Sequence, residues 1–135
     1  MIFSSLVVAA STLLPCANFS GVYGFDDSSG GSLEIHQENC EELDANYDFG
    51  NGSVFTRHMI FDGEMRTLVV IEGLTELEAT KLEDDTIVVE TEDHFGNGDV
   101  HVSSGKIFLE PAGDLVEETV YVDDSGHKTG VTRSV

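Results

Sequence analysis

The chain has 135 residues, which predicts one domain with one hydrophobic core. Its 26 acidic residues outnumber its 6 lysines and arginines and give a formal net charge of −20. Such a surface repels phosphate, so we expect no nucleic-acid partner and no binding to anionic membranes, whereas a cationic protein is a suitable partner.

The first 15 residues carry no charge and form an apolar run that is too short to span a bilayer. This pattern resembles the apolar core of a secretory signal peptide followed by small residues. We therefore interpret residues 1–15 as a signal-peptide-like segment and residues 16–135 as the folded domain of a secreted or periplasmic protein. Both Val8-Ala9-Ala10 and the residues before Cys16 fit a cleavage site. A buried first strand is the alternative interpretation.

From Asn18 onward, short runs alternate apolar and polar residues, and Gly, Asn and Asp interrupt them every 8 to 12 residues. No window has a convincing helical period. The pattern predicts an all-β chain, an antiparallel up-and-down meander of 8 to 10 strands that closes into a β-barrel without exposed edges. The predicted strands cover residues 19–25, 31–37, 41–49, 53–61, 64–72, 75–83, 86–95, 99–104, 106–112 and 115–122, with a short last one at 128–133.

Asn-Gly and Asp-Gly favour two-residue hairpin loops, because both central residues of such loops need a positive φ. The sequence Phe-Gly-Asn-Gly-x-Val occurs twice, at residues 49–54 and 95–100. Two-residue loops place apolar residues opposite apolar residues, which indicates one buried face. The predicted pairs are Phe49 with Val54, Ile60 with Met65, Val70 with Leu77, and Leu82 with Ile87.

The tripeptide Gly21-Val22-Tyr23, within "NFSGVYGF", resembles the element that begins the first strand of lipocalin-like proteins, the calycin superfamily. The segments "SLEIHQ" and "ELDANYDF" fit the second and third strands of that family. The resemblance implies a lipocalin-like barrel over residues 18–122 that holds a small apolar ligand in its interior. The side chains expected to point inward and contact this ligand are Tyr23, Leu33, Ile35, Tyr47 and Leu68.

The two cysteines fit a disulfide. With residues 26–30 as the first loop, Tyr23 lies opposite Leu33, and extending this register brings Cys16 opposite Cys40. The bridge would close a loop of 25 residues and stabilise the fold by roughly 3 kcal/mol in an oxidising compartment. Cleavage after Ala17 would instead leave Cys40 as a single thiol.

A cluster around the second Phe-Gly-Asn-Gly loop has the chemistry of a metal site. If Asn97-Gly98 is a two-residue loop, His94 and His101 are direct cross-strand neighbours, and Glu92 lies on the same face as His94. Two imidazoles and a carboxylate can bind Zn²⁺ or Cu²⁺. A solvated polar patch is the favoured interpretation of the same residues, because Phe95, Val100 and Val102 point to the other face.

The sequence contains no nucleophile elbow, P-loop or dinucleotide fingerprint, so we expect no enzymatic activity and no cofactor. The favoured hypothesis is an exported β-barrel that binds a small apolar ligand. One alternative is an acidic structural or interaction protein of the cell envelope with a filled core. Another is a weak metal-binding protein that uses His94 and His101. The volume left open inside the fold separates the first hypothesis from the second.

Overall fold

The computed structural model describes residues 14–25, 29–122, 128–129 and 132–133. These residues form an antiparallel all-β fold, as predicted, and none of them lies in a helix that could cross a bilayer. The strands are β1 (Gly21–Gly24), β2 (Ser32–His36), β3 (Glu42–Asp48), β4 (Val54–Ile60), β5 (Arg66–Ile71), β6 (Leu74–Glu83), β7 (Thr86–Phe95), β8 (Val100–Leu109), β9 (Leu115–Val122), β10 (Lys128–Thr129) and β11 (Thr132–Arg133).

The strands form two sheets. The first has the order β1-β2-β3-β4, and the second has the order β10-β9-β8-β7-β6-β5, with β11 also paired to β9. Consecutive strands up to β10 are neighbours within each sheet, as in the predicted meander, and β8 runs unbroken through Gly105, where the sequence predicted two strands. The described residues show no backbone ladder from β4 to β5 or from β1 to the last strands, so closure into a barrel stays a prediction.

The two sheets separate at the connection between β4 and β5. The hairpin predicted at Asp62-Gly63 is wrong, because the Asp62 carboxylate accepts hydrogen bonds from the Glu64 amide at 3.0 Å and from the Arg66 guanidinium at 2.8 Å. The Gly63 amide donates to the Thr80 carbonyl at 2.9 Å. These bonds direct the chain away from β4, and β5 pairs with β6 instead.

Two predicted registers are confirmed. Tyr23 pairs with Leu33 across β1 and β2, and Leu82 pairs with Ile87 across β6 and β7. In the second hairpin, the turn residues Asp84-Asp85 have φ values of 46° and 62°. A two-residue hairpin turn of this kind needs left-handed backbone at both positions, and both residues have it. The strands therefore pair regularly up to the turn, without a bulge.

The two Phe-Gly-Asn-Gly loops are one residue longer than predicted. The Phe49 amide donates to the carbonyl four residues later at 3.0 Å, and the equivalent bond in the second loop measures 2.9 Å. Gly52 and Gly98, each directly after asparagine, have φ values of 89° and 93° and complete three-residue loops. Tyr47 therefore pairs with Phe55, and the predicted register of this hairpin is wrong by one position.

The β5–β6 hairpin also turns earlier than predicted. Its loop is Glu72-Gly73, so Val70 pairs with Thr75 and not with Leu77. A bulge at Leu68 shifts the register a second time. Bulges re-aim the side chains beside them, and Leu68 lines a cavity between the sheets.

Apolar side chains from both sheets pack into one core. They occupy the inward positions of the first sheet and the neighbouring positions of β7, β8 and β9. Alternation along each strand explains their spacing, since every second residue faces the opposite sheet. The buried members are Phe19, Tyr23, Leu33, Ile35, Leu43, Ala45, Met59, Ile87, Val89, Ile107 and Leu115.

The predicted disulfide between Cys16 and Cys40 is confirmed, with a Cα–Cα distance of 6.0 Å. Gln37 fixes the chain beside it: its amide nitrogen donates to the Ala17 carbonyl at 3.2 Å, and its oxygen accepts from the Phe19 amide at 2.8 Å. The bridge thus holds the segment before β1 against the β2–β3 connection. Most of the signal-peptide-like segment, residues 1–13, lies outside the described residues.

Candidate binding cavity

A cavity of about 220 Å³ lies between the two sheets. Its walls include Arg57 from β4, Glu76 and Glu78 from β6, Asp93 from β7 and Ser103 from β8. Taking ~30 Å³ for each molecule of liquid water, the volume equals that of about seven water molecules. We call it the Arg57 cavity.

Strand alternation sends these polar side chains inward. Glu78 pairs with Thr91 and Glu76 pairs with Asp93 across β6 and β7, on the same faces that supply the apolar core nearby. Gly105 on β8 contributes no side chain, and a Cβ there would lie 2.8 Å from the carbonyl oxygen of the neighbouring strand. One end of the interior is therefore packed with apolar groups, and the middle of β6, β7 and β8 encloses polar space.

The Arg57 guanidinium is the centre of a buried ion-pair network. Its Nε and Nη2 donate to the two carboxylate oxygens of Glu78 at 2.8 Å and 2.5 Å. Its Nη1 donates to the Tyr47 hydroxyl at 3.1 Å and to Glu117 Oε1 at 3.4 Å. The side chains of Arg57 and Glu78 are only 9% and 8% exposed. This bidentate contact engages the guanidinium with the protein's own carboxylates, so it is poorly placed to bind an anionic ligand.

The electrostatics keep this network charged at neutral pH. Burial by itself lowers the pKa of Arg57, but the hydrogen bonds to Glu78 and the nearby negative charges raise the pKa above its ordinary value. Burial, followed by the charge of Glu117, raises the pKa of the Tyr47 hydroxyl. Arg57 therefore stays protonated, and Tyr47 stays a neutral hydroxyl.

Glu76 and Asp93 form a second acidic group, which we call the carboxyl pair. They lie directly opposite each other on β6 and β7. The hydrogen bond to Asp93, then burial, then the charges of Asp93 and Glu78 raise the pKa of Glu76 to about 7. Asp93 Oδ1 is buried and has no permanent hydrogen-bond donor within the described residues. Near neutral pH Glu76 is therefore partly protonated.

Hydroxyl groups complete the lining. Thr91, Ser103 and Thr119 line the cavity, and no side-chain hydrogen bond within the described part of the chain engages them. Ser103 is only 8% exposed as a residue. Hydroxyl groups that face a cavity without protein partners bind water or a ligand there.

The cavity lining carries a net negative charge. Arg57 and Lys106 supply two positive charges. Glu78, Glu117, Glu118 and the carboxyl pair each contribute a negative charge near neutral pH and outnumber them. Because these groups lie in partly enclosed surroundings, water screens them less than it screens surface charges. The interior potential therefore favours cations.

Aromatic rings cluster beside the Phe-Gly-Asn-Gly loop of the first sheet. The ring centroid of Tyr47 lies 6.1 Å from that of Phe49 and 6.0 Å from that of Phe55. The ring centroids of Phe25 and Phe49 lie 6.1 Å apart. Phe55 also lines the Arg57 cavity. This ring edge provides an apolar wall next to the charged groups.

The residues predicted to contact an apolar ligand do not line one common cavity. Tyr23, Leu33 and Ile35 belong to the packed core, where the gap that Leu33 and Ile35 border measures only about 10 Å³. Such a gap is too small for an organic molecule. Leu68 lines the Arg57 cavity, and Tyr47 reaches this site through its hydrogen bond to Arg57.

The predicted pairing of His94 with His101 is wrong. His94 pairs with Val100, and His101 pairs with Asp93, so the two imidazoles lie on opposite faces of the sheet. The longer loop explains this difference, because a register shift of one residue moves every side chain of the strand to the opposite face of the sheet. Glu92 remains beside His94, with Oε1 3.5 Å from Nε2. In the described ranges, no group of three His, Cys, Asp or Glu side chains is arranged to hold a metal ion.

The central site residues, Arg57, Glu76 and Glu78, were not identified from sequence. A signal did exist: Arg57 falls between Phe55 and Met59 on the inward phase of β4, where an isolated charge needs a buried partner. Glu76 and Glu78 occupy the inward phase of β6 in the same way. Which strand faces which across the interior could not be read from these patterns.

No protein-family model matches this chain, and no curated protein matches it.

Proposed function

We propose that the protein is a small-molecule-binding protein whose ligand lies in the Arg57 cavity. The single observation that carries this proposal is a polar, half-open cavity of about 220 Å³ between the sheets, bordered by the buried Asp93 Oδ1, which has no hydrogen-bond partner among the described residues. Binding sites in proteins are concave and hold a few converging polar groups of this kind.

The proposed ligand is polar, in contrast to the apolar ligand that the sequence suggested. The apolar half of the interior is filled by side chains, whereas the open half contains Arg57, Glu78 and the carboxyl pair. Transfer of a hydrocarbon into this half would leave its polar groups unsatisfied, at a cost of about 1–3 kcal/mol for each. A small molecule with hydrogen-bonding groups and a short apolar part fits both walls.

The proposal includes export and a lipocalin-like architecture. The Cys16–Cys40 bridge supports a secreted or periplasmic location, because structural disulfides persist in oxidising compartments. Closure of the two sheets into a barrel, with the ligand inside, is the arrangement that the family resemblance implies. We propose binding and not catalysis as the role of this cavity.

The alternative is an acidic interaction protein with a filled core. The packed apolar half favours it, and the net charge of −20 would then attract a cationic protein partner. In this case the Arg57 cavity would hold only water.

Ligand-observed NMR distinguishes these two functions. A panel of propylammonium, 1-propanol, glycerol, glycine betaine, acetate and hexanoate would be tested against the wild type and Ser103→Phe, which places a ring in the cavity. Val102→Phe is the matched control, since Val102 is 49% exposed on the other face of the same strand. We expect a polar member to bind to the wild type and Val102→Phe but not to Ser103→Phe. Binding of hexanoate alone, or of no member, would contradict the proposal.

A further inference from the structure

We infer that the ligand of the Arg57 cavity is a small alkylammonium cation, whose ammonium group Glu76 and Asp93 bind on the cavity wall. The cation takes the place of the proton that Glu76 carries below pH 7. This inference rests on the proposed function and gives its ligand class and its control by pH. Three features of the cavity carry it: the saturation of Arg57 by protein carboxylates, the acceptor groups left without donors, and the size of the cavity.

The first feature is that Arg57 already binds two carboxylates of the protein, whereas the carboxyl pair has no such partner. Glu78 receives two hydrogen bonds from Arg57, and Glu117 receives a third. No Lys or Arg of the described residues makes such a bond to Glu76 or Asp93. The carboxyl pair is therefore the acidic part of the lining that has no direct ion pair with a basic side chain. A cation that reached the pair would supply the missing charge.

The second feature is that the groups lining the cavity without a partner can accept hydrogen bonds. Asp93 Oδ1 is a buried acceptor without a permanent donor among the described groups. The hydroxyl groups of Ser103 and Thr91 line the same cavity and have no side-chain partner in the described chain. Ser103 is more than nine-tenths buried. An ammonium group has three donors and no acceptor, so it matches one carboxyl pair and the neighbouring hydroxyl oxygens.

The third feature is size, which favours an organic cation over a bare metal ion. The cavity volume of about 220 Å³ far exceeds that of a single ion, and the described residues contain no cluster with metal-binding geometry. Leu68 and Phe55 supply apolar wall in the same cavity. A short alkyl chain would cover these side chains while its ammonium group meets the carboxyl pair.

The exchange balances in charge and protons. Before binding, Glu76 carries the proton and donates it to the Asp93 carboxylate. On binding, the Glu76 O–H bond breaks, the proton leaves to solvent, and both carboxylates accept N–H bonds from the ammonium. One proton is therefore released for each cation bound, so binding weakens as the solution becomes more acidic.

Other charged groups face the carboxyl pair, and they set the pH range of the exchange. Glu78 and Arg57 act on Glu76 in opposite directions, the first raising and the second lowering its pKa. His101 lies opposite Asp93 on β8, and β5 places the uncharged Val69 beside Glu76. Glu117 and Glu118 on β9 and Lys106 on β8 also line the cavity. Tyr47 on β3 reaches it through its hydrogen bond from Arg57.

Isothermal titration of the full chain with propylammonium chloride tests this exchange. Titrations in phosphate and in HEPES, which differ in ionisation enthalpy, give the number of protons released. At pH 6 we expect nearly one proton for each ligand, falling toward zero at pH 8, because the pKa of Glu76 lies at about 7. The apparent Kd should improve by up to about tenfold from pH 5 to pH 6 and level off above pH 7.

Variants separate the carboxyl pair from the general negative charge of the protein. Glu76→Gln and Asp93→Asn should each weaken propylammonium binding at least tenfold at pH 8, and proton release should disappear. Glu90→Gln is the matched control, since Glu90 is exposed on β7 and carries the same charge; it should bind propylammonium as the wild type does. The proton count in the wild type needs no variant and stands even if one variant fails to fold.

Each result decides between the proposals. Binding of 1-propanol or glycerol in the cavity without binding of propylammonium would overturn the cation inference and leave the binding function intact. Propylammonium binding without proton release, or equal weakening by Glu90→Gln, would also overturn it, as would preferential binding of Ca²⁺ from CaCl₂ at matched ionic strength. Failure of all these probes would remove both proposals.

Discussion

Replacement of Arg57 by methionine should destabilise the fold strongly. Arg57→Met keeps most of the aliphatic volume but leaves the Glu78 carboxylate, which is 8% exposed, without the two hydrogen bonds at 2.8 Å and 2.5 Å. An unpaired carboxylate in such a position costs about 3–5 kcal/mol. Since small domains have total stabilities of about 5–15 kcal/mol, this single change should remove a large fraction of the free energy of unfolding.

The double variant Arg57→Met with Glu78→Leu tests the cause of that loss. Replacing both members of a buried ion pair with apolar groups of similar size is often neutral or stabilising, because neither charge then has to be desolvated. We therefore expect the double variant to recover most of the stability, to within about 1–2 kcal/mol of the wild type. Glu117, whose side chain is 24% exposed, remains partly hydrated and limits the recovery only modestly.

Urea denaturation followed by far-UV circular dichroism measures these free energies, with the m-value as a check on two-state behaviour. Arg66→Met is the matched control, because Arg66 is 42% exposed in its pair with Asp62 and should leave the midpoint nearly unchanged. A loss below about 1 kcal/mol in Arg57→Met would refute the buried-pair reasoning. So would a double variant that is as unstable as the single one.

Three further predictions concern pH and the disulfide. The pKa of Glu76 is about 7 in the folded protein and 4.5 ordinarily, so its ionisation opposes folding. The contribution of Glu76 to the free energy of unfolding should be highest below pH 4.5 and fall as the pH rises through 7. In urea denaturation at pH 5 to 8, Glu76→Gln should flatten this slope. Replacement of Cys16 and Cys40 by alanine should cost about 3 kcal/mol in the same assay, and an unchanged midpoint would argue against the bridge. The hydrogen bond to Asp44 raises the pKa of His58, so an NMR titration of its ring should show a midpoint above 6.5 that falls in Asp44→Asn; identical midpoints would contradict this contact.

Local sequence signals were sufficient for most strands and for the disulfide. Period-2 alternation placed the strands, and the loop before Gly31 gave a register that extended correctly from Tyr23 to Cys16. At Asp84-Asp85, both turn residues have positive φ and the strands pair directly on either side, so the two-residue prediction is correct. In each case the deciding interactions lie within one hairpin.

The errors arise where one loop sequence serves two geometries. Asn51-Gly52 fits a two-residue turn, but glycine in the left-handed position equally completes a three-residue loop, and the sequence does not choose between them. In the second loop, the extra residue places His101 on the face opposite to His94, so the two imidazoles are not the neighbours that the sequence predicted. At Asp62, the hydrogen bonds to Glu64 and Arg66 form a local turn where the sequence pattern predicted a hairpin.

The binding cavity was not predictable, because its groups meet across the two sheets. Arg57 and Glu78 are separated by 21 residues and belong to different sheets. Alternation shows that both point inward, but their contact depends on how the sheets are stacked. The sequence also could not show that the interior of Leu33 and Ile35 is filled whereas the space beside Glu76 is open.

The most direct test of the cavity as a binding site is an amide ¹H–¹⁵N NMR titration of the wild type with propylammonium at pH 8. We expect the largest shifts at residues on the inward faces of β6, β7 and β8, including Glu76, Thr91 and Ser103. Shifts should be small at Val22 and Glu34 on the outer face of the first sheet. Shifts spread over the acidic surface, with none concentrated at the Arg57 cavity, would contradict a binding site between the sheets.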